Sequence, residues 1–135
     1  MPAPKPARAE EMIDRAARVV AQALAEAMVA GNEDAVTVLF SLPANLDGRE
    51  VTSAAELRRS WGAVLARPEV RRLELQQIEV ISRAQARERY GPPPARLGDL
   101  PDSDALVAII RFDRAQLVAV LAYREGRWSV VALTD

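Results

Sequence analysis

The sequence predicts an α+β domain, with three N-terminal helices packed on one face of a curved antiparallel sheet. Three observations predict it. Apolar residues recur at helical spacing through the first half of the chain. The box Ser53-Ala54-Ala55-Glu56 marks a helix start, because a serine oxygen accepts from the first turn and a glutamate reaches back. The second half carries "ALVAIIRF" and "LVAVLAY", almost continuously apolar, as in strands covered on both faces.

The first helix is expected from Glu10 to Ala30, with Ile13, Ala17, Val20, Leu24, Ala27 and Met28 on one face and Gly31 as its stop. Asn32 can cap a second helix from Glu33 to about Ser41, which Pro43 ends. Asp47-Gly48 is a two-residue hairpin signal, since Gly readily takes the positive φ such a turn needs. A third helix runs from Ala54 to about Ala66, burying Leu57, Trp61, Val64 and Leu65, and Pro68 marks its end.

Strands follow. In "VRRLELQQIEVIS", Leu73 and Leu75 share one parity and Ile78 and Val80 the other. A bulge near Gln76-Gln77 reconciles them. Ser82 and Gln85 can cap a short helix to Tyr90; otherwise those residues prolong the strand. The Pro-rich loop 91–104 is too short for a domain linker, and "PPP" suits a rigid spacer or a partner motif. Turns at Asp113–Gln116 and Glu125-Gly126 separate the last three strands. No internal repeat is present.

Composition narrows the chemistry. The chain has 135 residues, enough for one domain with a sizeable core. Segment 1–9, "MPAPKPARA", reads as a disordered tail and 10–135 as the single domain. Cysteine and histidine are both absent. That excludes disulfides, thiol nucleophiles, Ser-His-Asp triads and His- or Cys-ligated zinc. No Asp/Glu cluster has the spacing of a calcium loop. Acid–base chemistry would have to use Asp, Glu, Tyr or the single lysine, Lys5. No cofactor is expected. The net charge of -1 gives no electrostatic basis for nucleic acid or an anionic membrane. Arg58-Arg59 and Arg71-Arg72 read as solvated faces. The opening has no apolar h-region, and Glu26 interrupts the run "VVAQALAEAMVAG". The expected location is cytoplasmic.

Two stretches resemble the nuclear-transport-factor-two-like superfamily, also described as SnoaL-like or ketosteroid-isomerase-like domains. "VAGNEDAVTVLFSLPANLDGREVTSAAELRRSW" resembles its front half and "ALVAIIRFDRAQLVAVLAYREGRWSVVAL" its back half. The resemblance implies a cone-shaped interior (a cystatin-like roll). It also implies a structural role for Trp128, just past the Gly126 turn, where final strands of that fold often begin with tryptophan.

For activity the resemblance is tested position by position. Ketosteroid isomerases use a carboxylate base on the short hairpin, where this chain has Asp47. Their two oxyanion donors fall at Leu24 and Ala108, which cannot donate. Losing even one such donor costs orders of magnitude in rate. Scytalone-dehydratase-like chemistry leans on histidine, and the Asp-Arg-Asp set of limonene-epoxide-hydrolase-like enzymes is not traceable.

The leading expectation is therefore a domain that binds a small apolar molecule in its cone, self-associates through its sheet as a homodimer, or both. The alternatives are an isomerase, cyclase or hydrolase with Asp47 as general base, and an accessory subunit docking through the sheet. Asp47 is equally the residue a tight turn wants. Trp61, Tyr90 and Arg111 are the candidate ligand contacts. Trp61 also suits the core, and Arg111 suits either the interior or an outer face. Convergence of Asp47 and Arg111 in one cavity is the feature that separates enzyme from binder.

Overall fold

The computed structural model describes residues 5–97 and 104–135, with side chains from residue 15 onward. Helix α1 spans Lys5–Ala30, so it begins inside the segment read as a tail; residues 1–4 and the Ile13 side chain lie outside what is described. Ala17, Ala21, Leu24 and Met28 form its buried stripe, spaced three or four residues apart. Helix α2, Glu33–Thr37, is shorter than expected; the Asn32 side chain caps it by accepting from the Ala35 N–H.

Residues read as the end of α2 and the loop after it instead form strand β1, Phe40–Leu46. Pro43 lies within this strand, preceded by a cis peptide. It falls where the pairing of β1 with the last strand shifts register, between Phe40 and Asn45. A proline lacks the N–H a ladder needs, so it is tolerated where pairing is interrupted. That broken alternation is why the strand was illegible as sequence. Arg127 secures its start by donating to the carbonyls of Val38 and Phe40.

The turn Asp47-Gly48 links β1 to β2, Arg49–Val51, with φ of 54° and 90°. Positive φ at both central residues is the mirror-image turn that suits strand twist. Helix α3 spans Ala54–Leu65. Ser53 accepts from the Glu56 N–H as expected, but the Glu56 carboxylate takes the Thr52 N–H rather than closing the box on Ser53. Leu57, Trp61 and Leu65 are buried. At about 1.5–3 kcal/mol each, this burial outweighs the helix's weak intrinsic propensity terms. Pro68 opens a further short helix, α4, Pro68–Arg71, instead of only ending α3.

Strand β3 spans Leu75–Ser82, and its pairing with β4, Leu106–Phe112, shifts between Leu75 and Gln77, where the apolar phase slips. Helix α5, Arg83–Tyr90, carries the complete Ser82/Gln85 capping box. Strands β5, Gln116–Arg124, and β6, Arg127–Thr134, complete the sheet. The order is β2-β1-β6-β5-β4-β3, open at both edges and antiparallel except for the β1–β6 pair, which is parallel. The predicted α+β class holds, with helices packed on a six-stranded sheet.

Each central strand is buried twice. Leu106, Ala108, Ile110 and Phe112 of β4 join the core under the helices. Val107 and Ile109 point to the back, against Ile81 of β3 and Ala86 of α5. Beside them Val120, Ala122, Val131 and Ala132 pack under Leu97, in a single 3-10 turn at Ala95–Leu97. The expected homodimer rested on sheet area that one helical layer would leave bare. Much of that area is covered within the chain, by α5 and the segment containing Leu97. The rest of the Pro-rich loop 91–104 lies partly outside the described residues.

Candidate functional site

A cleft of about 700 Å³ opens at one end of the helix-covered face. Its apolar wall is built by Trp61 and Val64 of α3, Phe112 of β4, Leu117 of β5 and Leu133 of β6. Met28, Leu46, Val70 and Leu73 extend it. Helix α3 positions both wall and mouth through its periodicity. Trp61, Leu57 and Leu65 face the core, Ser60 and Val64 sit one step round, and Arg59 and Ala63 are exposed beyond them.

Trp61 is 3% exposed and its ring lies 5.9 Å from Phe40, tilted by 58°. That geometry is favourable for two aromatic quadrupoles. Its indole Nε1 is buried with no hydrogen-bond partner, which sets it apart from the other buried side-chain polar atoms described. Leaving such a donor unpaired costs about 1–3 kcal/mol. Trp61 also belongs to the hydrophobic core under the helices.

The mouth is polar. Arg49 donates to the Ser60 hydroxyl at 2.6 Å, and Ser60 donates to the Glu56 carbonyl at 3.0 Å. Asp47 stands at the mouth with its side chain 58% exposed. Its carboxylate accepts from the Thr134 hydroxyl at 2.8 Å and from Arg96 at 3.1 Å. Those bonds, Thr134 first and Arg96 second, hold the carboxyl below its usual range. A general base working near neutral pH needs the opposite direction, produced by desolvation. The turn's own backbone is served by Asn45, whose side chain accepts from the Gly48 N–H.

The four residues singled out in the sequence divide between two faces. Asp47 and Trp61 belong to the cleft. Arg111 and Tyr90 meet on the other side of β4, because Arg111 has the parity of Val107 and Ile109 while its neighbour Phe112 lines the cleft. There Arg111 donates to the Tyr90 hydroxyl at 3.0 Å and to Gln77 at 3.3 Å. Tyr90 donates to Glu79 at 2.7 Å, and Arg89 pairs with the same carboxylate. Asp47 and Arg111 therefore do not converge. Leu24 and Ala108, at the positions of the isomerase donors, are both fully buried in the core.

Sequence reasoning missed Arg59, Arg67 and Leu117 as cleft residues. The available signal was the spacing Arg59-Ala63, one turn apart beside the Ser60-Val64 line; Arg67 lies past the helix end and left no such signal.

No protein-family model matches the chain, and no curated protein matches it. Among solved structures it is similar to one named "Putative calcium/calmodulin dependent protein kinase II association domain", from Xanthomonas campestris. The identity is 14%, over 81% of this chain and 76% of that one, with a TM-score of 0.47. Among the described residues, no helix is long and apolar enough to cross a membrane.

Proposed function

We propose that this chain is a small-molecule-binding domain of the nuclear-transport-factor-two-like kind, holding a mainly apolar ligand in the cleft against Trp61. The observation that carries this reading is a cleft of about 700 Å³ whose wall is built by Trp61, Val64, Phe112, Leu117 and Leu133 beneath a polar mouth. A ligand with an apolar body buries that wall. Concave sites with few polar groups and apolar walls are the usual form of small-molecule sites. The binding reading is favoured over catalysis because Asp47 is drawn to Thr134 and Arg96, and Arg111 lies across the sheet.

The test uses intrinsic fluorescence. Trp61 and Trp128 are the two tryptophans, so a Trp128→Phe background reports on Trp61 alone. Titration with N-phenyl-1-naphthylamine, a neutral apolar fluorophore, is expected to quench Trp61 emission saturably. A response that never saturates, or none, would overturn the reading.

A further inference from the structure

We infer that the ligand is an amphipathic anion, with an apolar body on Trp61 and a carboxylate-type head held at the mouth by Arg59 and Arg67. This rests on the reading of the cleft as a ligand site. The inference comes from which charges at the mouth are already committed.

Every acid that lines the cleft has a partner. Asp47 has Thr134 and Arg96, Asp135 has Arg96, and Glu56 has the Thr52 N–H. Arg49 is bound to Ser60. The guanidinium groups of Arg59 and Arg67 have no hydrogen-bond or ion-pair partner among the described residues. The uncommitted charge facing the cleft is therefore positive, although the whole chain is nearly neutral.

The spacing suits one head group. Arg59 and Ala63 are one turn apart on α3, about 6 Å along its axis, and Arg67 follows in the extended residue that links α3 to α4. The small side chain of Ala63 leaves the gap between the two cations open. A guanidinium presents two parallel N–H donors, which match the two oxygens of a carboxylate. Arg67 also follows the C-terminus of α3, where a cation is favoured by the helix dipole, so Arg59 is the more diagnostic of the pair.

The experiment is isothermal titration calorimetry of the full chain with 1-naphthaleneacetate and with its neutral isostere, 1-naphthaleneacetamide. The acid is expected to bind at least tenfold more tightly than the amide. The double variant Arg59→Gln/Arg67→Gln is expected to lose at least tenfold in affinity for the acid and less than twofold for the amide; Arg59→Gln alone should show most of the loss. Both side chains are at an exposed rim, and unchanged circular dichroism would confirm intact folding. Equal binding of acid and amide by the parent would overturn the anion preference and leave the cleft reading standing. Acid preference surviving in the double variant would overturn the assignment to these arginines. Binding of neither compound would overturn the cleft reading and this inference together.

Discussion

Asp47 and Arg111 lie on opposite faces of the sheet. The Asp47 carboxylate meets Thr134 and Arg96 at the cleft mouth, and the Arg111 guanidinium meets Tyr90 and Gln77 behind it. Two charged groups that would have to share a substrate in an enzyme are thus separated by a layer of backbone. Each has its own local work. Asp47 ties the first hairpin to the final strand and to Arg96, while Arg111 ties β4 to α5.

Asp47→Asn is expected to fold, since Asn tolerates the positive φ that Asp47 adopts. The folded-state pKa of Asp47 is lowered from its ordinary 3.8, so its contribution to stability is present above that value. It disappears as pH falls through the lower folded-state value. The melting temperature of the parent should exceed that of the variant at neutral pH, and the two should converge in strong acid. The carboxylate is exposed, so the difference should be small. Melting curves followed by circular dichroism between neutral pH and about pH 2 check this.

Leu97→Ala removes the side chain that covers Val120, Ala122, Val131 and Ala132 on the back of the sheet. Buried Leu→Ala changes cost about 2–5 kcal/mol, and the lower half of that range is expected here because the 3-10 turn can settle into the hole. Leu24→Ala, in the closed core under the helices, should fall in the upper half. Urea denaturation compares the two. A Leu97 variant as stable as the parent would show that this segment does not seal the sheet.

Tyr90→Phe and Arg111→Gln are expected to leave affinity for 1-naphthaleneacetate within twofold of the parent, because both residues lie behind β4. They should cost about 0–1 kcal/mol of stability, as half-exposed polar contacts do. A tenfold loss of affinity in either variant would place the ligand on the back face instead.

The fold was legible where one physical signal dominated. Asp47-Gly48 and Glu125-Gly126 read as turns because both pairs need positive φ. The phase slip at Gln76-Gln77 read as a bulge because side-chain parity in a strand is strict. Strand β1 was hidden by Pro43 and by its parallel partner β6, which lies more than 80 residues away in sequence and leaves no local pattern. The site was only half legible. Burial of Trp61 follows from helical spacing, but the missing partner of its N–H depends on what the rest of the chain places around it. Arg111 was ambiguous because β4 is apolar on both faces, so alternation could not say which way the arginine points.

Trp61→Phe is expected to change stability by less than about 1 kcal/mol, because the donor it removes has no partner in the free protein. Trp61→Ala should cost about 3–5 kcal/mol, the usual range for emptying a large aromatic site. Urea denaturation of both variants separates the ring's packing from its N–H.

The most direct test of a ligand site at Trp61 is a crystal structure of the chain with 1-naphthaleneacetate. The naphthalene ring is predicted to lie against Trp61, Val64 and Leu117, with its carboxylate toward Arg59. A cleft closed by its own side chains, with the compound bound only elsewhere, would contradict it.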